Sequence, residues 1–119
     1  MSTKKSVDIG NAEHYVWGKG CDGWHLLKTP ELSVIMERMP PGTSEVRHFH
    51  GKARQFFFVL QGELTMEVEH QCVVLTAEQG LEILPGQAHQ ARNEGAKDVK
   101  MIVTSQPPSH GDRVESKPH

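Results

Sequence analysis

The segment Arg47-His48-Phe49-His50 places two imidazoles two residues apart. On a β-strand, side chains at i and i+2 share a face, with Cα atoms about 6–7 Å apart. Two imidazoles so spaced can converge on one ion, at metal–nitrogen distances of about 2.0–2.1 Å. The same pattern also suits two half-exposed polar residues, so the pair alone leaves both readings open. Eight histidines occur in 119 residues, and three of them fall at ligand-like spacings. His14, His25 and His70 have no such partners and read as ordinary polar residues, although His25 sits in a strand that can face a pocket. His110 and His119, in the tail, read as solvated.

The elements that must position these residues are short. Glycine and proline punctuate apolar runs throughout. Ordered structure is expected from Tyr15-Val16-Trp17, with strands at 24–27, 32–39 and 45–50, then a β-prone run from Gln55 to Leu60. Further strands are expected at 63–70, 71–76, 80–84, 89–93 and 99–105, with turns at Gly62, Pro85-Gly86 and Glu94-Gly95. No stretch supports a long amphipathic helix. Many short strands separated by turns predict an all-β sandwich or small barrel. The expected organisation is a flexible N-terminal arm (1–13), one β-barrel domain (14–106) and a polar C-terminal tail (107–119), either strap or disordered.

Two segments carry a family resemblance. The first runs Gly42, five residues, His48, one residue, His50, four residues, Gln55, six residues, Gly62. The second runs Gly80-Leu81-Glu82-Ile83-Leu84-Pro85-Gly86-Gln87-Ala88-His89, then three residues to Asn93. In this order they resemble the two motifs of the cupin superfamily, in its small single-domain, conserved-barrel form. The resemblance implies a cupin β-barrel, a double-stranded β-helix or jelly roll. It also implies that His48, His50 and His89 are metal ligands on the inner wall. Gln55 stands where the family has its glutamate ligand. A neutral amide would leave the full charge of a divalent ion on the site and hold it less tightly. Glu78 stands where the family often has glycine, and Leu84 where it often has proline. Asn93 is expected to brace a turn.

Alternation along 55–60 places Gln55, Phe57 and Val59 on the ligand face. Phe56, Phe58 and Leu60 then point outward and need cover, from the N-terminal strands or from a second subunit; a homodimer is expected. Arg38, Phe57, Val59 and Met66 are the expected pocket residues. Arg38 shares a strand face with Leu32, Val34 and Met36 and would be the cation available for an anionic group if that face is inward. An arginine among Arg38, Arg47 and Arg54 at the barrel mouth could clamp a substrate carboxylate, but all three read first as surface charges paired with Glu37 or Glu45. Trp17 and Trp24 read as packing residues. No nucleophile–base pair is visible, and Glu37 and Glu82 are candidate acids only if their strands turn them inward.

Composition bounds the rest. Net charge is −2 and the pI is near 6.4, which makes no electrostatic case for nucleic acid or anionic membrane. No apolar run approaches the about 20 residues of a membrane span, and the N-terminus has no signal-peptide core. A cytoplasmic location and free thiols at Cys21 and Cys72 are therefore expected. The expected partner is a small molecule. The expected cofactor is a divalent transition metal, iron, zinc, nickel or manganese. The functional expectation is a metal-dependent enzyme on a small oxygen-chelating molecule, dioxygenase-like. The alternatives are an isomerase or lyase, a non-catalytic binding cupin for a sugar or small acid, and a metal-free relic.

Overall fold

The computed structural model describes residues 4–116. Eleven strands follow in order: β1 (Glu13–Trp17), β2 (Cys21–Lys28), β3 (Ser33–Met39), β4 (His48–His50), β5 (Arg54–Gln61), β6 (Leu64–Val68), β7 (Gln71–Leu75), β8 (Gly80–Ile83), β9 (His89–Arg92), β10 (Val99–Gln106) and β11 (Arg113–Glu115). They form two antiparallel sheets, ordered β1-β2-β3-β10-β5-β8 and β11-β4-β9-β6-β7. This is the all-β, jelly-roll architecture expected. No helix among the described residues is long and apolar enough to cross a membrane.

The two ends of the barrel differ in filling. Val59, Leu64, Met66, Ile83, Val99 and Met101 are at most 1% exposed and close one end as a dry core. Burying each large apolar side chain contributes about 1.5–3 kcal/mol, so this end supplies most of the apolar stabilisation. Phe57 and Val103 belong to this core and also form part of a cavity wall at the other end. Val59 and Met66, expected in the pocket, lie below it, because inward alternation does not say how far along the barrel a side chain sits.

The outward row behaves as expected. Phe56 and Leu60 are 45% and 40% exposed. The N-terminal strands do not cover them: β1 and β2 extend the same sheet from its far edge. The expected arm is shorter than 1–13. Residues 8–12 fold into a turn held by Asp8, and β1 starts at Glu13.

Of the two expectations for the tail, the described part follows the strap. Within 107–116 the chain returns and β11 pairs with β4, Arg113 opposite His50. Arg47, 8% exposed, locks this return: its guanidinium donates to Ser116 Oγ (2.8 Å), Glu67 (3.1 Å) and the Glu69 carbonyl (2.9 Å). Lys52 and Ala53 amides donate to Asp112 at the other end of the strap. The anchoring is polar, so no apolar pattern announces it. His119 lies outside the described residues.

The β5–β6 turn depends on Gly62. Its φ is +84°, and a Cβ there would sit 2.5 Å from the Asp98 carbonyl oxygen. Gly20 has the same φ with open space around it. Gly62→Ala is therefore expected to destabilise the domain by about 2 kcal/mol more than Gly20→Ala, which meets only the conformational penalty. Thermal denaturation of the two variants measures the difference; equal midpoints would contradict the steric account.

Candidate metal centre

His48 and His50 leave β4 on one face, and His89 opens β9 directly opposite His48 in the antiparallel register. The three imidazoles are buried, and one ligand nitrogen from each lies within 4.8 Å of the others. Ring centroids are 4.8 Å apart for His48–His50, 4.4 Å for His48–His89 and 5.7 Å for His50–His89.

Backbone carbonyls set the tautomers. His48 Nδ1 lies 2.6 Å from the Val46 oxygen and His89 Nδ1 lies 3.0 Å from the Gln87 oxygen. A carbonyl only accepts, so each Nδ1 carries the proton and each Nε2 keeps a bare lone pair. Burial holds His48 down to about 3 and His89 down to about 4, and lowers His50 as well. The imidazoles are thus neutral, the form that binds metal.

Their unpaired atoms test the fit to an ion. His89 Nε2, both His50 ring nitrogens and Gln55 Oε1 are buried without a hydrogen-bond partner. An unsatisfied buried acceptor costs about 1–3 kcal/mol. Several of them around one histidine cluster suit a divalent transition ion, which such nitrogen donors bind. Gln55 donates its amide to Ser105 Oγ at 3.1 Å, which leaves its oxygen as the unpaired atom.

The cluster opens into a cavity of about 320 Å³. Tyr15, Trp17, Ile35, Phe57 and Val103 supply its less polar wall. Two carboxyls, Glu37 and Glu45, line it as well. Burial, then the charge of Glu45, pushes Glu37 up to about 8, partly offset by the nearby Tyr15 hydroxyl. Burial pushes Glu45 up to about 7, opposed by the Ala91 amide, which donates to its Oε1 at 3.0 Å, and by the charge of Arg113. The Tyr15 hydroxyl is itself raised, by burial and by Glu37. Glu37 and Glu45 so split across neutral pH that one favours its acid form where the other begins to lose its proton.

Tyr15 reaches Glu37 across three strands. Tyr15 on β1 pairs with Gly23 on β2, and Gly23 pairs with Glu37 on β3. A Cβ at Gly23 would overlap the Tyr15 ring, so the glycine lets the ring lie across β2 toward the carboxyl.

The remaining expected residues separate. Phe57 lines the cavity. Arg38 does not: it lies on the opposite face of β3, paired with Asp22 at 2.7 Å and Asp98 at 3.1 Å. The inward face of β3 is Ser33, Ile35, Glu37 and Met39. Both faces of this strand carry apolar residues, so alternation marks two sides without saying which is inside. Glu37 therefore takes the place anticipated for Arg38. Glu82 points outward to Arg54, so Arg54 and Arg47 pair with acids other than Glu37 or Glu45. Asn93 braces a turn as expected, donating to the Met39 and Lys97 carbonyls. Cys21 and Cys72 are free. Glu45 and Arg113 escaped sequence reasoning as site residues; inward parity counted back from His48 and His50 does not reach either, because both lie outside β4.

His110 is exposed, as expected, and is also part of the site. It lines the cavity, with its ring 6.2 Å from Tyr15 and 5.7 Å from His25.

Two measurements check this geometry. His89→Ala should lower bound metal well below one ion per chain while the exposed His70→Ala leaves it unchanged, as read by elemental analysis; equal loading would sink the ligand set. The second concerns metal-free protein. Glu37 keeps its proton up to about 8 when folded, against 4.5 ordinarily, so its contribution to stability is present below 4.5 and is lost as pH rises toward 8. Glu37→Gln removes that loss. Its melting midpoint relative to wild type should rise by several degrees, roughly 5 °C, between pH 5 and pH 8. A constant difference would place Glu37 in a solvated setting.

The comparisons with known proteins agree with this architecture. The cupin domain family matches residues 35–105. The chain is 30% identical over 69 residues to the polyketide synthase CurC of Streptomyces cyaneus, covering 58% of this chain and 45% of that protein. It thus spans less than half the length of that curated relative. The solved polyketide cyclase RemF from Streptomyces resistomycificus superposes with a TM-score of 0.82 at 12% identity, covering 98% of this chain and 88% of that one. An RmlC-like cupin from Shewanella frigidimarina superposes with a TM-score of 0.79 at 23% identity, covering 89% and 93%. At such identities the solved structures speak to fold alone. The matched span runs from the middle of β3 almost to the end of β10, through both motif segments, and on that ground the chain belongs to the cupin family.

Proposed function

We propose that this chain is a metal-dependent enzyme that moves a proton on a small oxygen-chelating substrate, as an isomerase or cyclase does. The observation that carries the reading is the meeting, in one cavity, of the three-histidine cluster with the Glu37–Glu45 carboxyls. His48, His50 and His89 would hold the ion, with the Gln55 oxygen beside them. When bound there, a divalent ion supplies Lewis-acid polarisation of a carbonyl oxygen.

The chain's own residues supply the proton chemistry. Glu45 is the readier base, because its value near 7 frees its carboxylate first. Glu37, protonated up to about 8, is the readier acid. General acid–base catalysis works best with groups poised near the working pH, and burial sets both there. The Tyr15 hydroxyl lies near the Glu37 carboxyl and lines the same cavity. Phe57, Ile35 and Val103 exclude water from the less polar wall. An oxygen-consuming reaction has no evident use for a carboxyl pair, so the paired acids favour proton transfer over the dioxygenase-like reading. The cavity volume lies at the small end of ligand pockets, about 300–1,000 Å³, and suits a compact substrate. That the polyketide synthase CurC is similar to this chain over 69 residues is consistent with a polyketide-like substrate.

The test uses hydroxyacetone in deuterated water with zinc-loaded protein, following loss of the methylene signal by NMR. Exchange should exceed that of free zinc and fall by roughly tenfold or more in Glu37→Gln and in Glu45→Gln. Exchange unaffected by both substitutions would refute the carboxyl assignment. Oxygen uptake by the iron-loaded protein with chelating compounds, without exchange, would restore the dioxygenase reading.

A further inference from the structure

We infer that Arg113, carried over the cavity by the C-terminal strap, anchors an anionic group of the substrate while the opposite end of the molecule meets the histidine cluster. The inference rests on the proposed substrate-binding role of the cavity and adds the substrate's charge.

Register places the residue. Arg113 on β11 lies directly opposite His50 on β4. Paired residues on neighbouring antiparallel strands point to the same side, with Cβ atoms about 4.5–5.5 Å apart. Arg113 accordingly lines the cavity beside the histidines. Its charge is felt by Glu45, which lines the same cavity.

The guanidinium is uncommitted. Arg38, Arg47, Arg54 and Arg92 each have a carboxylate partner within 3.3 Å. Arg113 has none among the described residues. Its one hydrogen bond runs from Nη2 to the Val46 carbonyl at 3.3 Å, which leaves most of its donors open. Glu115, two residues on, does not line the cavity. Asp112, the adjacent acid, is occupied by the Lys52 and Ala53 amides.

Charge balance points the same way. Gln55 and three imidazoles bring no negative charge to an ion, and even with Glu37 ionised beside Glu45 the two carboxylates only match a divalent ion. With Arg113 added, the loaded cavity carries excess positive charge that Glu37 and Glu45 together do not cancel. A carboxylate on the substrate would be paired by a planar guanidinium in two-point geometry. The strap lies beyond the span matched by the cupin domain, so this anchor is supplied by a segment outside that shared span.

The test compares two probes by calorimetry on the zinc-loaded full chain: succinylacetone, a β-diketone with a carboxylate at its far end, and its methyl ester. Wild type should bind the acid roughly tenfold or more tightly than the ester. In Arg113→Gln that ratio should collapse toward one through loss of acid affinity, with ester affinity held. Arg113→Lys, which keeps the charge without the fork, should recover part of the ratio. An unchanged ratio in Arg113→Gln, an equal weakening of both probes, or no binding of either probe would overturn the anchor. Hydroxyacetone carries no anionic group, so its exchange tests the proton-transfer reading separately from this one.

Discussion

Desolvation at one end of a small barrel governs this molecule. Burial acts on two kinds of ionisable group there and always disfavours the charged form. Applied to His48, His50 and His89 it keeps imidazoles neutral, with lone pairs available. Applied to Glu37 and Glu45 it keeps protons on carboxyls up to about neutral pH. One cause thus yields both a ligand set and an acid–base pair. The unpaired nitrogens and the Gln55 oxygen are an energetic burden on the fold. The dry core at the other end, closed by Leu64, Met66 and Met101, offsets it.

The strands divide the work of positioning. β4 and β9 hold the histidines, because alternation and antiparallel pairing bring His48 and His89 face to face. β3 carries Glu37, and β1 reaches it only because Gly23 leaves a gap in β2 for the Tyr15 ring. The strap through β11 completes the mouth with His110 and Arg113. Arg47, adjacent to the ligand His48 in sequence, fastens that strap on the opposite face. β4 and the adjacent Arg47 therefore couple the histidine cluster to the wall that closes over it.

One local departure explains itself in backbone terms. Glu78, where the family often has glycine, adopts a φ of +69°. Its amide donates to the Val59 carbonyl at 2.7 Å, which holds the turn before β8 in a conformation glycine adopts more easily. Glu69 shares the positive φ, at +55°, in the β6–β7 turn.

The fold class, most strand positions, the inward set Gln55, Phe57 and the outward set Phe56, Leu60 were legible in the sequence. So were the three histidines, through their place in two ordered segments. These properties are local: period-two alternation and turn residues act over a few neighbours. Which face of β3 is inside was not legible, since Val34 and Met36 on one side match Ile35 and Met39 on the other. Hence Arg38 was expected where Glu37 stands. Nor did the sequence decide between a strap and a disordered tail, because hydrogen bonds hold residues 107–116, and a polar segment held that way has the composition of a free tail. The sequence by itself determined the strands and singled out the three histidines that meet. The tertiary structure alone decided the carboxyl pair and the arginine, because their roles arise from burial and cross-strand register between segments far apart in the chain.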